Sequence, residues 1–230
     1  MGFKASFERA SKSSWYFLKG ITRVIARIFI EAVHRVSINI FDSLFGFLNW
    51  PEKKIRIKIF ILTDPDGNPV ISSTDIHASI EYAQRVFKKH FNVTVSAHHK
   101  EAFAELLPLI PPLKVLHTKG GPAALKEEFK IAGSFFGSNL SGVIYPISIF
   151  VVINIKGASG CSLGPMSDYV TLDPLGAKQA STLAHELAHA CGLWHIDEKA
   201  NLLYPYNKRG DEVKWWQKNI FRSSRHVTYW

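Results

Sequence analysis

The strongest constraint on this chain is an eleven-residue run, His185-Glu186-Leu187-Ala188-His189-Ala190-Cys191-Gly192-Leu193-Trp194-His195, which reads H-E-x-x-H-x-x-G-x-x-H. Residues four apart on a helix share a face, so His185 and His189 can present imidazoles to one metal ion. Glu186, next to the first of them, is placed to act on an attacking water rather than to bind the metal. Gly192 permits the left-handed turn that ends a helix. The chain can then double back and bring in His195 as a third ligand from outside the helix. Three protein ligands and one open position describe a catalytic Zn2+ site, whereas structural zinc sites are closed by four.

The surrounding residues supply a helix for this motif. Asp173-Pro174 is a good opening, a capping side chain followed by proline in the first turn. Leu183, Ala184, Leu187, Ala188, Ala190 and Cys191 recur at helical spacing, so one flank can pack in a core.

With these residues in view, the chain resembles the metzincin clan of zinc metallopeptidases. Members share the long histidine motif and, downstream, a tight turn whose methionine lies beneath the zinc. Asn201-Leu202-Leu203-Tyr204-Pro205 resembles that turn, with Leu203 in the methionine position. Leu for Met nearly conserves volume. The resemblance covers 183–205 in letters and 55–230 in layout. It names the clan and not a subfamily, because Ile196 follows the third histidine where several subfamilies carry a polar or acidic residue.

The resemblance implies an α+β, zincin-like fold: a twisted mixed sheet, a long zinc helix and a short C-terminal subdomain. It implies hydrolysis of peptide bonds in a protein or peptide substrate, with Glu186 as the general base and His185, His189 and His195 as metal ligands. It also implies that the stretch between Gly157 and Ser167 forms an edge strand taking the substrate backbone as an added strand. Tyr204 and Tyr206, on either side of Pro205, are read as packing residues.

Coarse patterning agrees with this layout. Residues 55–62 alternate apolar and basic and read as a strand; Asp64 to Pro69 is a turn cluster. A helix is expected from Thr74 or Asp75 to His90, then a strand over 93–97. Between Glu101 and Leu140 short helical pieces are expected, broken at Pro108–Pro112 and Gly120–Pro122. Ile147 to Ile155 reads as one buried central strand, Asp168 to Leu172 as a short strand feeding the zinc helix, and Asp211 to Arg222 as a last helix.

Residues 1–50 read as an amphipathic helical extension ahead of a peptidase domain at 51–230. Lys19, Arg23, Arg27 and Arg35 recur at multiples of four with Glu31 on the same stripe, amid a wide apolar surface. Charges interrupt it too often for a simple transmembrane helix, and no cleavable signal is evident. A membrane surface fits this pattern, as does a helix packed on the enzyme as lid or propeptide. The net charge of +9 divides into +4 for 1–50, +1 for 51–207 and +4 for 208–230. A near-neutral body with basic ends suits anionic lipid or an acidic partner, not a nucleic-acid groove. A cytoplasmic or peripheral membrane location is therefore expected.

Two other readings stay open on sequence. A zinc hydrolase resembling peptide deformylases would take Cys161, in Gly160-Cys161, as its third ligand in place of His195. A catalytically silent adaptor would keep zinc for stability alone, which leaves Glu186 without a task. The two cysteines, Cys161 and Cys191, could form a disulfide tying the segment before the histidine helix to that helix, or stay reduced thiols with Cys191 a small core residue, the reading favoured here.

Overall fold

The computed structural model describes residues 2–64, 66–97, 104–107, 114–115, 146–155 and 157–229. It opens with helix α1 (Gly2–Val33), a π-helical turn (His34–Ile38), α2 (Ile40–Phe45) and a 3-10 turn (Gly46–Leu48). Strand β1 (Lys53–Leu62), α3 (His77–Phe91) and β2 (Val93–Ala97) follow, then β3 (Ala104–Leu107), β4 (Lys114–Val115), β5 (Ile147–Val151) and β6 (Asn154–Ile155). The remainder is β7 (Gly160–Ser162), β8 (Tyr169–Leu172), α4 (Pro174–Lys178), α5 (Ala180–Ala190), α6 (Trp215–Ser223) and β9 (Val227–Thr228).

The architecture is a mixed α/β one around a twisted, mostly parallel sheet in the order β2-β1-β5-β8-β7. β1 is the hub, pairing in parallel with β2, β3 and β5. β5 continues in parallel to β8, and β7 and β9 join antiparallel. β1 shows why these residues make a central strand. Ile55, Ile57, Ile59 and Ile61 alternate onto one face and are buried, and β-branched side chains fit a pleated surface. That face packs on α3 and α5 through Ala83, Val86, Phe87, Leu183, Ala184 and Leu187. Phe221 of α6 closes the end, its ring 4.0 Å from Phe91 and 4.8 Å from Phe87.

Three boundaries differ from the sequence expectation. Ile147 to Ile155 is not one strand: beyond Val151 its partner β8 has ended at Leu172, and Asn154 and Ile155 pair with Lys114 and Val115 instead. Asp173 caps α4 and not the histidine helix, its carboxylate accepting the Gly176 N–H at 2.7 Å. Gln179 turns extended between the two helices, and the buried Ser79 hydroxyl donates to the carbonyls of Ala177 and Gln179 at that break. The last helix starts at Trp215, because Glu212 first pairs with Asn201 in an isolated bridge. In the expected helical middle, the described residues 104–107 and 114–115 are strands; the breaks at Pro108–Pro112 and Gly120–Pro122 lie outside the described residues.

The segment before residue 51 is fastened to this body by buried charge. Arg27 Nε meets Asp168 at 2.6 Å, and Arg225 reaches Asp168 at 2.5 Å and Glu31 at 3.2 Å. Arg35 reaches Glu31 at 2.7 Å and donates to the carbonyls of Ile220 and Cys191 at 2.6 and 2.9 Å. Asp42 lies between Lys53 at 2.9 Å and Arg222 at 2.8 Å, all three side chains fully buried. The charged stripe of α1 thus points into the protein.

His226 sits in the first of these clusters, 3.9 Å from Asp168. Burial holds it well below its ordinary value of 6.5, Arg225 adds to this, and Asp168 opposes it. The unfolded chain takes up a proton near 6.5 that the folded chain refuses. Its contribution to stability is therefore complete above that pH and falls away below it, by up to about 1.4 kcal/mol per pH unit. Denaturant unfolding between pH 7 and 5 should show a shallower loss in His226→Leu than in the unsubstituted chain. Equal slopes would remove His226 from the acid response.

Candidate metal centre

Helix α5 presents His185 and His189 one turn apart, and its end is built as a reversal. Gly192 has φ of +95°. Its N–H donates to the His189 carbonyl at 2.8 Å, and the Leu193 N–H reaches back to Ala188 at 3.0 Å, the paired bonds of a glycine-terminated helix end. The Arg35 guanidinium takes the neighbouring Cys191 carbonyl, and a Cβ on residue 192 would meet its Nη2 at 2.8 Å. Beyond the reversal Trp194 stacks on Trp216 at 5.1 Å, and the Ile196 N–H donates to the Leu203 carbonyl at 3.1 Å. These contacts fix the segment that carries His195.

The three imidazoles converge. Nε2 of His189 lies 3.0 Å from that of His185 and 3.1 Å from that of His195, and the last pair is 3.3 Å apart. His185 Nδ1 sits 2.8 Å from the Leu202 carbonyl and His189 Nδ1 2.7 Å from the Leu193 carbonyl. A carbonyl only accepts, so both Nδ1 atoms carry the proton and both Nε2 atoms present lone pairs. Two lone pairs 3.0 Å apart repel unless a cation lies between them. A tetrahedral ion with bonds of about 2.0–2.1 Å to imidazole sets its ligand nitrogens about 3.3 Å apart, so the donor set fits a metal. Among the described residues, this trio is the group of side chains able to hold one. Cys161 lines the same cleft but stands outside the cluster.

Electrostatics favour metal over protons. Burial pushes His185 down to about 2, with His189 the next cause, and pushes His189 down to about 4. The imidazoles are therefore neutral donors throughout the physiological range. Burial rises from His195, which is exposed, to His185, which is buried, so the open side of the cluster faces the cleft.

The turn after His195 supports the site from below. The Asn201 side chain accepts the Leu203 N–H at 2.8 Å and donates to Gln217 at 2.9 Å. Leu202 and Leu203 are fully buried, and the Leu202 carbonyl is the one that orients His185. Such outer partners fix the tautomer and the ring. Leu203 occupies its place as a core residue. Tyr206 is exposed at the cleft, its ring 5.4 Å from that of Tyr204.

Glu186 points into a cleft of about 850 Å³ lined also by Gly160, Thr182, Tyr206 and Arg209. β7 forms one wall and is antiparallel to β8, with Cys161 opposite Thr171. A Cβ on residue 160 would lie 2.8 Å from Glu186 Oε1, so glycine lets the strand approach the carboxylate this closely. Burial pushes the Glu186 carboxyl up to about 8, against the pull of the Arg209 guanidinium; a bound dication pulls the same way as Arg209. Neither cysteine is in a disulfide and both are buried. Burial, then Glu31, pushes the Cys191 thiol up to about 12, which suits a core residue.

Arg209 is the site residue that sequence reasoning missed. Its Nε and Nη1 are buried beside Glu186 and, among the described residues, have no hydrogen-bond partner. A lone arginine in the turn Asn207-Lys208-Arg209-Gly210 has no spacing signal; only the fold brings it to the cleft.

No family model matches the chain, and no curated protein does either. Among solved structures it resembles metalloproteinase-II from Bacteroides fragilis at 15% identity and a TM-score of 0.39, over 70% of this chain and 49% of that one. The chain thus spans about half the length of that protein.

Proposed function

We propose that the chain is a zinc-dependent peptidase of the metzincin type, hydrolysing internal peptide bonds of protein or peptide substrates. The observation that carries this reading is the pair of unprotonated Nε2 atoms of His185 and His189, converging with that of His195 beside a buried carboxylate on an open cleft. Zinc held by these imidazoles supplies Lewis-acid chemistry, making water a usable nucleophile at neutral pH and polarising the scissile carbonyl. Glu186 accepts the proton of the attacking water and returns it to the departing amine. The outer edge of β7, which pairs with no other described strand, offers main-chain hydrogen bonds to an extended substrate, which accepts many sequences. An otherwise silent zinc adaptor has no use for a buried carboxylate in this place. The deformylase-like reading would need Cys161 inside the cluster, and it stands apart from it.

The zinc-loaded chain, incubated with an unfolded protein and with N-formylmethionyl peptides, should release new internal N-termini by mass spectrometry. Formate release without internal cleavage would instead favour the deformylase-like reading.

Arg209 supplies a further expectation. Arg209 lines the cleft and its guanidinium suits a carbonyl or carboxylate of the bound substrate, so Arg209→Met should raise KM and lower kcat/KM about tenfold or more for the best peptide. A change below twofold would show that the guanidinium serves only the fold.

A further inference from the structure

Helix α1 and the turns after it are inside out for a water-facing segment. Among the described side chains between residues 14 and 50, every exposed one is uncharged. Arg27, Glu31 and Asp42 are buried, and Lys19, Arg23 and Arg35 are partly so. Twenty large apolar side chains are exposed among the described residues, and fifteen of them fall between Trp15 and Trp50. Ile25 is 62% exposed, Phe29 70% and Val36 69%. Their combined area is on the order of 1,000 Å², beyond the few hundred that a soluble monomer ordinarily leaves open.

We propose that this outward face, running from α1 through the π-helical turn to α2, inserts into the interfacial layer of a lipid bilayer. Three features choose lipid over a protein occupant. First, the two hydroxyls in the middle of the face are already used. Thr22 donates to the Leu18 carbonyl at 3.1 Å and Ser37 to the Val33 carbonyl at 2.5 Å. Hydrocarbon demands such internal satisfaction, whereas a protein interface carries a polar, hydrogen-bonding rim. Second, Trp15 and Trp50, 63% and 69% exposed, stand at the two ends of the segment, and tryptophan is enriched where bilayers meet water. Third, the face is wider than a paired-helix seam. Beside Leu18, Ile25 and Phe29 it exposes Ile28 and Val33 and continues onto Phe41 and Leu44, broader than the two-position stripe of a coiled-coil seam.

The segment lies in the interface and does not cross it: among the described residues no helix is long and apolar enough to span a membrane. The mode also differs from the electrostatic attraction expected from sequence. Arg27 and Arg35 are spent on Asp168, Glu31 and backbone carbonyls inside the protein, so they are not offered to anionic headgroups. Apolar area is therefore the main driving force, and binding does not require anionic lipid.

The test uses the full zinc-loaded chain and vesicles of phosphatidylcholine alone or mixed with phosphatidylserine, floated at low and high salt. Sedimentation without lipid is run alongside. The chain should float with phosphatidylcholine alone at both salts, and Ile25→Glu with Phe29→Glu should weaken flotation roughly tenfold or more while leaving zinc content unchanged. Flotation only with phosphatidylserine and reversed by salt would overturn the proposal. So would a discrete dimer, broken by the two substitutions, that ignores vesicles.

Discussion

Replacing Glu186 with Gln should leave the metal bound and lower kcat by about 10²–10⁴-fold, the usual worth of a positioned general base. The amide keeps the size and burial of the side chain but cannot accept the proton of the attacking water. Because all three imidazoles are untouched, metal content should stay at the level of the unsubstituted chain. The two readouts divide the alternatives. Loss of zinc together with activity would make Glu186 a ligand or a support, while retained activity would remove it from the chemistry altogether. Gly160 lets β7 approach within van der Waals reach of this carboxylate.

Asp42→Ala should destabilise the fold by about 3–5 kcal/mol, the cost of leaving a buried ion without its partner. Asp42 accepts from Lys53 at 2.9 Å, from Arg222 at 2.8 Å and from the Tyr229 hydroxyl at 2.7 Å. Both cations are fully buried. Burial already presses the Lys53 ammonium down to about 8 against the pull of Asp42. Arg222 is also committed to the Phe91 and Pro51 carbonyls at 2.6 and 2.7 Å, so the charges cannot swing out to water without unpicking the end of the sheet. The change is read as a lower urea midpoint at constant m. A loss under 1 kcal/mol would mean that water reaches this cluster. The same geometry argues against testing membrane contact by deleting residues 1–50, since that deletion strips Lys53 and Arg222 of their counter-ion.

The histidine helix, the reversal at Gly192 and the convergence of His185, His189 and His195 were legible because each depends on local chemistry: helical spacing, a positive φ and a short return. β1, α3 and β2 were legible for the same reason, since alternation and helical periodicity are local signals. Three things were not. The orientation of α1 depends on what it packs against. Periodicity separates a charged stripe from an apolar face, and says nothing of which one turns inward. Asp168 and Arg225, far along the chain, help make burial of Arg27 and Glu31 tolerable. The split after Val151 depends on where a neighbouring strand stops, and the break at Gln179 on a hydroxyl from Ser79, about a hundred residues earlier. Arg209 reaches the cleft by tertiary placement alone. Local rules find the motif; the partners that give it a setting come from the fold.

The zinc content of the purified chain, measured with its zinc-edge X-ray absorption spectrum, bears most directly on this account. One zinc per chain is predicted, with nitrogen and oxygen neighbours at about 2.0–2.1 Å, lost in His195→Ala and kept in Cys161→Ala. A sulfur neighbour at about 2.3 Å, or a chain that takes up no zinc, would contradict it.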